Sequence, residues 1–234
     1  GASLPLIYLT SVNKPSPVTA PAFCMLLRKH IGGGKILRVW QPGLERIIHF
    51  EIEHFNEMSD LCRKDLVLEL MGKHSNLIFC DDQGTIIDSI KRVSAQTSSV
   101  REVLPGRPYF IAQTQEKCDP LNTTEEEFSK TVFVKPMKLS KAIYTSYTGI
   151  SPVIAEELCC RAGLESDQSA NTIPPLAQTH LYHLFDLMME DVKSGRFTPL
   201  IISDPHGDPV EFSSLQLTMY HDLTTTSYET ISEV

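Results

Sequence analysis

Apolar and polar positions follow a two-residue period through much of the first half of the chain and a helical period in the second. Leu6–Thr10 reads as a strand, followed by a loop through Pro15, Pro17 and Pro21. Ala22–Ile31 has the length and apolar spacing of a helix, with Thr19 as candidate cap and Gly32-Gly33-Gly34 as its stop. Strand-like runs follow at Lys35–Gln41, Arg46–Phe55, Asp65–Met71, Asn76–Cys80 and Thr85–Val93. In the second run Ile48, Phe50 and Ile52 fall on one face, and His49, Glu51 and Glu53 on the other. Asp81-Asp82-Gln83-Gly84 predicts a hairpin turn between the last two runs.

The pattern changes near Leu104-Pro105-Gly106-Arg107-Pro108. Thr123-Thr124 before three glutamates marks a helix start, since hydroxyl caps and early acids satisfy free backbone amides. Helices are predicted at Lys138–Tyr144, at Pro152–Ala162 with Ser151 as cap and Gly163 as stop, and at Leu176–Lys193. On the last, Leu181, Leu184, Leu187 and Met188 form the expected core stripe. Short strands return at Leu200–Ile202 and Val210–Tyr220, around a turn at Asp204–Pro209. The expected fold class is α+β. An antiparallel β-rich domain occupies residues 4–110, a small helical domain 111–196, and returning strands 197–234.

Charge adds a direction to this layout. The net charge of −8 argues against a protein that coats nucleic acid with its whole surface. Residues 1–110 carry 13 Lys and Arg against 11 Asp and Glu, a net of +2, whereas residues 111–234 carry 8 against 18, a net of −10. Any RNA contact is therefore expected in the first half. No apolar run is long enough to span a membrane. Six cysteines without CxxC spacing, mostly within apolar runs, predict buried reduced thiols of a cytoplasmic protein. The start, Gly1 to Pro5, has no signal-peptide character and reads as a chain that begins part-way through a domain.

Few motifs carry chemistry. The glycines at 32–34 follow a helix and precede no Gly-Lys-Ser/Thr, so a turn is the reading rather than a phosphate loop. His180 and His183 share a helix face but have no acidic or thiol partner at metal spacing. No strained-turn serine or cysteine suggests a nucleophile. Gly149-Ile150-Ser151-Pro152 resembles the turn of a helix-hairpin-helix element, but with no Lys or Arg before Arg161 an ordinary capped helix is the favoured reading. Arg28, Lys29, Lys35, Arg38 and Arg46 cluster within nineteen residues, with His30 and Trp40 as rings that could stack on unpaired bases. Glu45-Arg46 places an acceptor beside a guanidinium fork, which could read a base edge and a phosphate; a structural salt bridge would use the same residues. His74, after Gly72-Lys73 at a strand end, is a further contact candidate.

Five ordered stretches carry a resemblance that spans essentially the whole chain. They are Phe23 to Gly34, Gln41 to Ile47, Glu69 to Asn76, Arg101 to Gly106, and Gly149 to Pro152. Together they resemble the N-terminal region of the NFACT family of RqcH/NEMF-like proteins, also called fibronectin-binding protein A. The resemblance implies a β-rich domain similar to the N-terminal domain of Fpg/MutM glycosylases, then a helix-hairpin-helix-like domain. It implies that the family's first strands lie upstream of this chain, and that a coiled coil and an RNA-binding domain follow it. Base excision is not expected, because Gly1–Pro5 supplies no proline nucleophile. The family recruits tRNA to large ribosomal subunits carrying stalled peptidyl-tRNA and promotes template-free tailing, with alanine in bacteria. It needs no cofactor, and the bond-making chemistry is ribosomal. Its acidic–Arg pair falls on Glu45-Arg46, with Glu where many relatives have Asp. Glu69, Leu70, Met71 and His74 match the other segment expected near tRNA, and Arg28, Lys29 and His30 are additional candidates. The alternatives are a surface-exposed adhesin and a DNA-processing protein of glycosylase-like fold.

Overall fold

In the computed structural model the described residues are 5–112 and 116–234. Residues 1–4, most of the Gly1–Pro5 stretch in which no proline nucleophile is expected, lie outside them, as does part of the loop expected before Thr123. The chain divides into two units, Gly1–Gln115 and Glu116–Val234.

Unit 1 is one antiparallel sheet with a helix. Helix α1 (Ala22–Ile31) precedes β1 (Lys35–Trp40), β2 (Ile47–Phe55), β3 (Leu61–Glu69), β4 (Asn76–Asp81) and β5 (Ile86–Ser89), which pair in chain order. The α+β class expected from the sequence is therefore realised. Leu6–Thr10 is the exception: it is not assigned as a strand. Thr19 does not cap α1; the cap position is Pro21, without a side-chain hydrogen bond. The glycines after α1 serve two needs. Gly33 turns the chain at φ +76°, and a Cβ on Gly34 would lie 2.9 Å from the Glu53 carbonyl oxygen. Asp81 builds the β4–β5 turn by accepting from the Gln83 and Thr85 amides at 3.0 and 2.7 Å.

Strand β2 is covered on both faces, which the simple alternation did not predict. Ile47 joins Val67, Ile78, Cys80, Ile86 and Val103 in the core on one face. Ile52 and His54 are buried on the other, while Ile48 and Phe50 are half-buried. The loop after β5 closes the first face through a Val93–Val103 bridge, so β5 is shorter than the predicted Thr85–Val93 run.

Unit 2 packs α2 (Glu125–Val132), α3 (Leu139–Ser146), α4 (Pro152–Arg161) and α5 (Pro175–Lys193) around Phe128, Tyr147 and Phe185. Phe128 lies 4.8 Å from Phe185 and 5.7 Å from Tyr147 by ring centroids. Thr124 and Glu127 form the reciprocal capping pair, and the Ser151 hydroxyl accepts from the Ile154 amide. The stripe on α5 differs from expectation: Leu181, Phe185, Met188 and Met189 are buried, and Leu187 is 63% exposed. Strands β6 (Leu200–Ser203), β7 (Pro209–Ser213) and β8 (Thr224–Ser227) form a second sheet in the order β7-β6-β8. Leu200, Ile202 and Leu217 pack against Val153 and Ile154 of α4, so residues 197–234 belong to the same unit as the helices. Glu157, fully buried, accepts from the Thr218 and Met219 amides, the Thr218 hydroxyl and Arg161, and so ties the segment after β7 to α4.

All six cysteines are free, but only Cys80 and Cys159 are buried; Cys118 and Cys160 are exposed. Burial pushes both buried thiols up to about 12, so they stay protonated. Among the described residues no helix is long and apolar enough to cross a membrane.

Candidate nucleic-acid interface

The register of β2 and β3 brings together two segments that are far apart in sequence. Ile47 pairs with Glu69, and one residue beyond the ladder the Leu70 amide donates to the Arg46 carbonyl at 2.8 Å. The chain reaches Arg46 through a turn in which Gly43 has φ +54° and the Glu45 amide donates to Pro42. Gln41 holds that turn by donating to the Glu45 carbonyl at 2.6 Å. Arg46 is exposed and Glu45 half-buried, and neither side chain makes an ion pair among the described residues. The salt-bridge alternative for this dipeptide thus finds no partner there.

On the facing segment, a short 3-10 turn at Gly72–His74 follows β3. Ser75 organises it, accepting from the Met71 amide at 3.0 Å and donating to the Gly72 carbonyl at 2.7 Å. Leu70 and Met71 are half-buried, with Met71 packed on the core, and His74 is exposed. Lys73 and Lys91 join this end of the sheet without having been singled out in the sequence. The Lys91 ammonium donates to the Lys73 carbonyl at 2.9 Å, and its backbone is held by the Asn76 amide group. The signal that could have found Lys91 is the Asp81–Gly84 turn, which returns β5 alongside Asn76.

Glu69 has a different place. It is 1% exposed, and its carboxylate accepts from Arg101 at 2.6 Å and from the Tyr109 hydroxyl at 3.0 Å. Arg101 also donates to the Phe110 carbonyl and lies 5.5 Å from the Tyr109 ring centroid. Burial and the Glu69 charge together push the Tyr109 phenol far above its ordinary range, so it remains a donor. Glu69 therefore holds the loop after β5 against the sheet rather than facing solvent. Beside it, His49 donates to Asp65 at 2.6 Å and stacks on Trp40 at 4.1 Å, so one face of Trp40 is already occupied within the protein. Arg38 lies 5.3 Å from the same ring.

Arg28, Lys29 and His30 are not part of this end. They close the last turn of α1, beside the far end of β2, where Lys29 pairs with Glu57 at 3.4 Å. The steps from the first to the last of the nine β2 residues, at about 3.3 Å each, separate the two groups by roughly 26 Å. Burial, then the charges of Lys29, Lys64 and His54, lower the His30 pKa, and Glu57 opposes them. The nine sequence candidates thus form two groups at opposite ends of one sheet, with Glu69 inside it.

The whole chain, residues 1–234, matches the family model described as NFACT N-terminal and middle domains. It is 38% identical over 196 residues to a Bacillus subtilis protein named Rqc2 homolog RqcH, a match covering 83% of this chain and 32% of that protein. An archaeal Rqc2 homolog from Methanocaldococcus jannaschii is 26% identical over 209 residues, covering 85% of this chain and 28% of the relative. The chain thus spans about a third of the curated relatives' length. A crystal structure of the fibrinogen binding protein from Staphylococcus aureus superposes with a TM-score of 0.76 at 28% identity, covering 92% of this chain and 74% of that one. The N-terminal part of the Streptococcus suis fibronectin/fibrinogen-binding protein shares the fold, with a TM-score of 0.73 at 23% identity over 99% of this chain and 77% of that one. This chain belongs to the NFACT family, over its N-terminal and middle domains.

Proposed function

We propose that this chain is the tRNA-handling part of a ribosome quality control factor. In this reading the whole protein binds large ribosomal subunits obstructed by stalled peptidyl-tRNA. It recruits tRNA, alanine tRNA by analogy with bacterial relatives, for template-free C-terminal tailing in the cytoplasm. The chain is not an enzyme in this scheme: it positions RNA, and the ribosome makes the bond.

One observation carries the site. The Arg46–Leu70 backbone bond puts an exposed arginine, free of ion pairs among the described residues, at the same end of the sheet as His74, Lys73 and Lys91. Arginine and lysine contact phosphates, and arginine can also form paired hydrogen bonds to a base edge. The relatives named Rqc2 homolog RqcH support the ribosomal setting. Arg46→Ala in the full-length protein is expected to abolish alanine tailing while leaving folding and subunit binding intact. Normal tailing by a folded variant would remove Arg46 from the site.

A second reading, adhesion at the cell surface, is favoured by the name of the Staphylococcus aureus relative. Fractionation separates the two: co-sedimentation with large subunits supports the first, and exclusive recovery with cell wall supports the second.

A further inference from the structure

Arg46, Lys73, His74 and Lys91 reach one end of the sheet on different segments, and Glu69 is the residue those segments share. It ends β3, where it pairs with Ile47 on one side and Asn76 on the other. Ile47 follows Arg46, whose carbonyl accepts from the amide of Leu70, the residue after Glu69. Asn76 grips the Lys91 backbone, donating to its carbonyl at 2.9 Å and accepting from its amide at 3.0 Å. Met71, two residues after Glu69, leads into the turn that carries Lys73 and His74, and its amide is held by the Ser75 hydroxyl. Three strand ends bearing exposed cations therefore diverge from one carboxylate.

That carboxylate is fixed from a fourth segment. Arg101 and Tyr109, both on the loop after β5, donate to it at 2.6 and 3.0 Å. Glu69 is 1% exposed and the Arg101 side chain 10% exposed, so neither is placed to meet a polyanion. The Tyr109 ring stands edge-on to His49 at 6.0 Å, which extends the hold along β2. A buried carboxylate that loses its guanidinium must take up a proton or turn toward water. Turning toward water draws on the Glu69 backbone, and with it on the Leu70 bond to Arg46 and the Asn76 grip on Lys91.

We infer that Arg101 is a positioning residue for RNA binding: through Glu69 it keeps Arg46, Lys73, His74 and Lys91 in one register without touching the RNA. The inference rests on the tRNA reading above and gives Glu69 the part of a frame rather than a contact.

Two readouts test it, the first without RNA. Hydrogen exchange of the Leu70 amide in the 234-residue chain reports its bond to Arg46. Arg101→Ala is expected to speed that exchange about tenfold, and adding Glu69→Gln, which removes the stranded charge, to slow it again. Fluorescence of Trp40, the single tryptophan, checks that each variant is folded. In the full-length protein Arg101→Ala is expected to weaken tRNA binding about tenfold, and Arg101→Ala with Glu69→Gln to recover most of that loss. In an Arg46→Ala background the cost of Arg101→Ala is expected to shrink to about threefold, because a contact it positions is already gone. An arginine that only stabilised the fold would cost the same in both backgrounds. Arg101→Lys keeps the charge but loses the fork, and should show the same pattern at smaller amplitude if Arg101→Ala does not fold. Equal losses in the two backgrounds, or unchanged Leu70 exchange in a folded variant, would overturn the inference. So would a deeper loss on adding Glu69→Gln, which would make Glu69 an RNA contact. Normal tRNA binding by Arg46→Ala, with Leu70 exchange still responding to Arg101, would instead overturn the tRNA reading of this sheet end.

Discussion

Arg46 and Arg101 show how two arginines of one unit acquire opposite settings. Arg46 points outward from a strand end with no ion pair among the described residues, and its backbone alone is bonded, to Leu70. Arg101 is drawn inward, its side chain 10% exposed, to a carboxylate that is 1% exposed. Taking the guanidinium away would leave the buried Glu69 charge with Tyr109 as its one donor side chain among the described residues. Removing one partner of a buried pair costs roughly 3–5 kcal/mol, whereas exposed substitutions stay within about 0.5 kcal/mol. Arg101→Ala is therefore expected to lower the urea midpoint of unit 1 strongly, and Arg46→Ala hardly at all. Similar midpoints for the two would refute the assignment of Arg101 as the clamp of the loop after β5. Glu69 shows why sequence alone could not make this distinction. An acidic residue closing a strand reads as exposed, and its partner is 32 positions downstream. Arg46 was legible because its turn, Pro42-Gly43 before an alternating run, is written locally.

Elements were legible where their stabilisation is local. Helices α1 and α4 and the β4–β5 turn fall where their glycines, cap and turn residues put them. The faces of those elements were less legible, because burial depends on what arrives from elsewhere. On β2, Ile48 and Phe50 alternate correctly but remain half-buried, while His49 on the opposite face is buried beneath Trp40 and Asp65. Nothing within nine residues announces that both faces will be covered. Helix α5 gives the same lesson in a testable form. A leucine stripe predicts Leu187 inside, yet the helix turns Phe185 toward Phe128 and Tyr147 and leaves Leu187 in solvent. The aromatic cluster sets that rotation, since Phe185 can meet two rings at 4.8 and 5.0 Å. Phe185→Ala should cost about 3–5 kcal/mol through the cavity it opens. Leu187→Ala should change stability by less than about 0.5 kcal/mol. Chemical unfolding followed in the helical signal measures both, and a large loss at Leu187 would mean that α5 is rotated from the position described.

Across the whole molecule, charge follows the division into units. Residues 111–115 carry no charge, so the net of +2 before them and −10 after them belong to units 1 and 2 respectively. Only the first unit is electrostatically suited to a polyanion, and the second, with its acids partly neutralised in pairs such as Glu126–Lys130 and Glu190–Lys193, repels one. In the proposed tRNA-handling role, that arrangement would keep RNA on the sheet of unit 1 without making the chain a general nucleic-acid binder. The consequence is measurable as salt dependence, because each phosphate contact releases condensed counterions when it forms. Arg46→Ala should lower the slope of log affinity against log salt by roughly 0.7–0.9, as one phosphate contact is lost. Lys193→Ala, in unit 2, should leave the slope unchanged. An unaltered slope in Arg46→Ala with reduced affinity would show that Arg46 reads a base edge rather than a phosphate, and equal losses from both variants would show that RNA is held by the chain's overall charge and not by one sheet end.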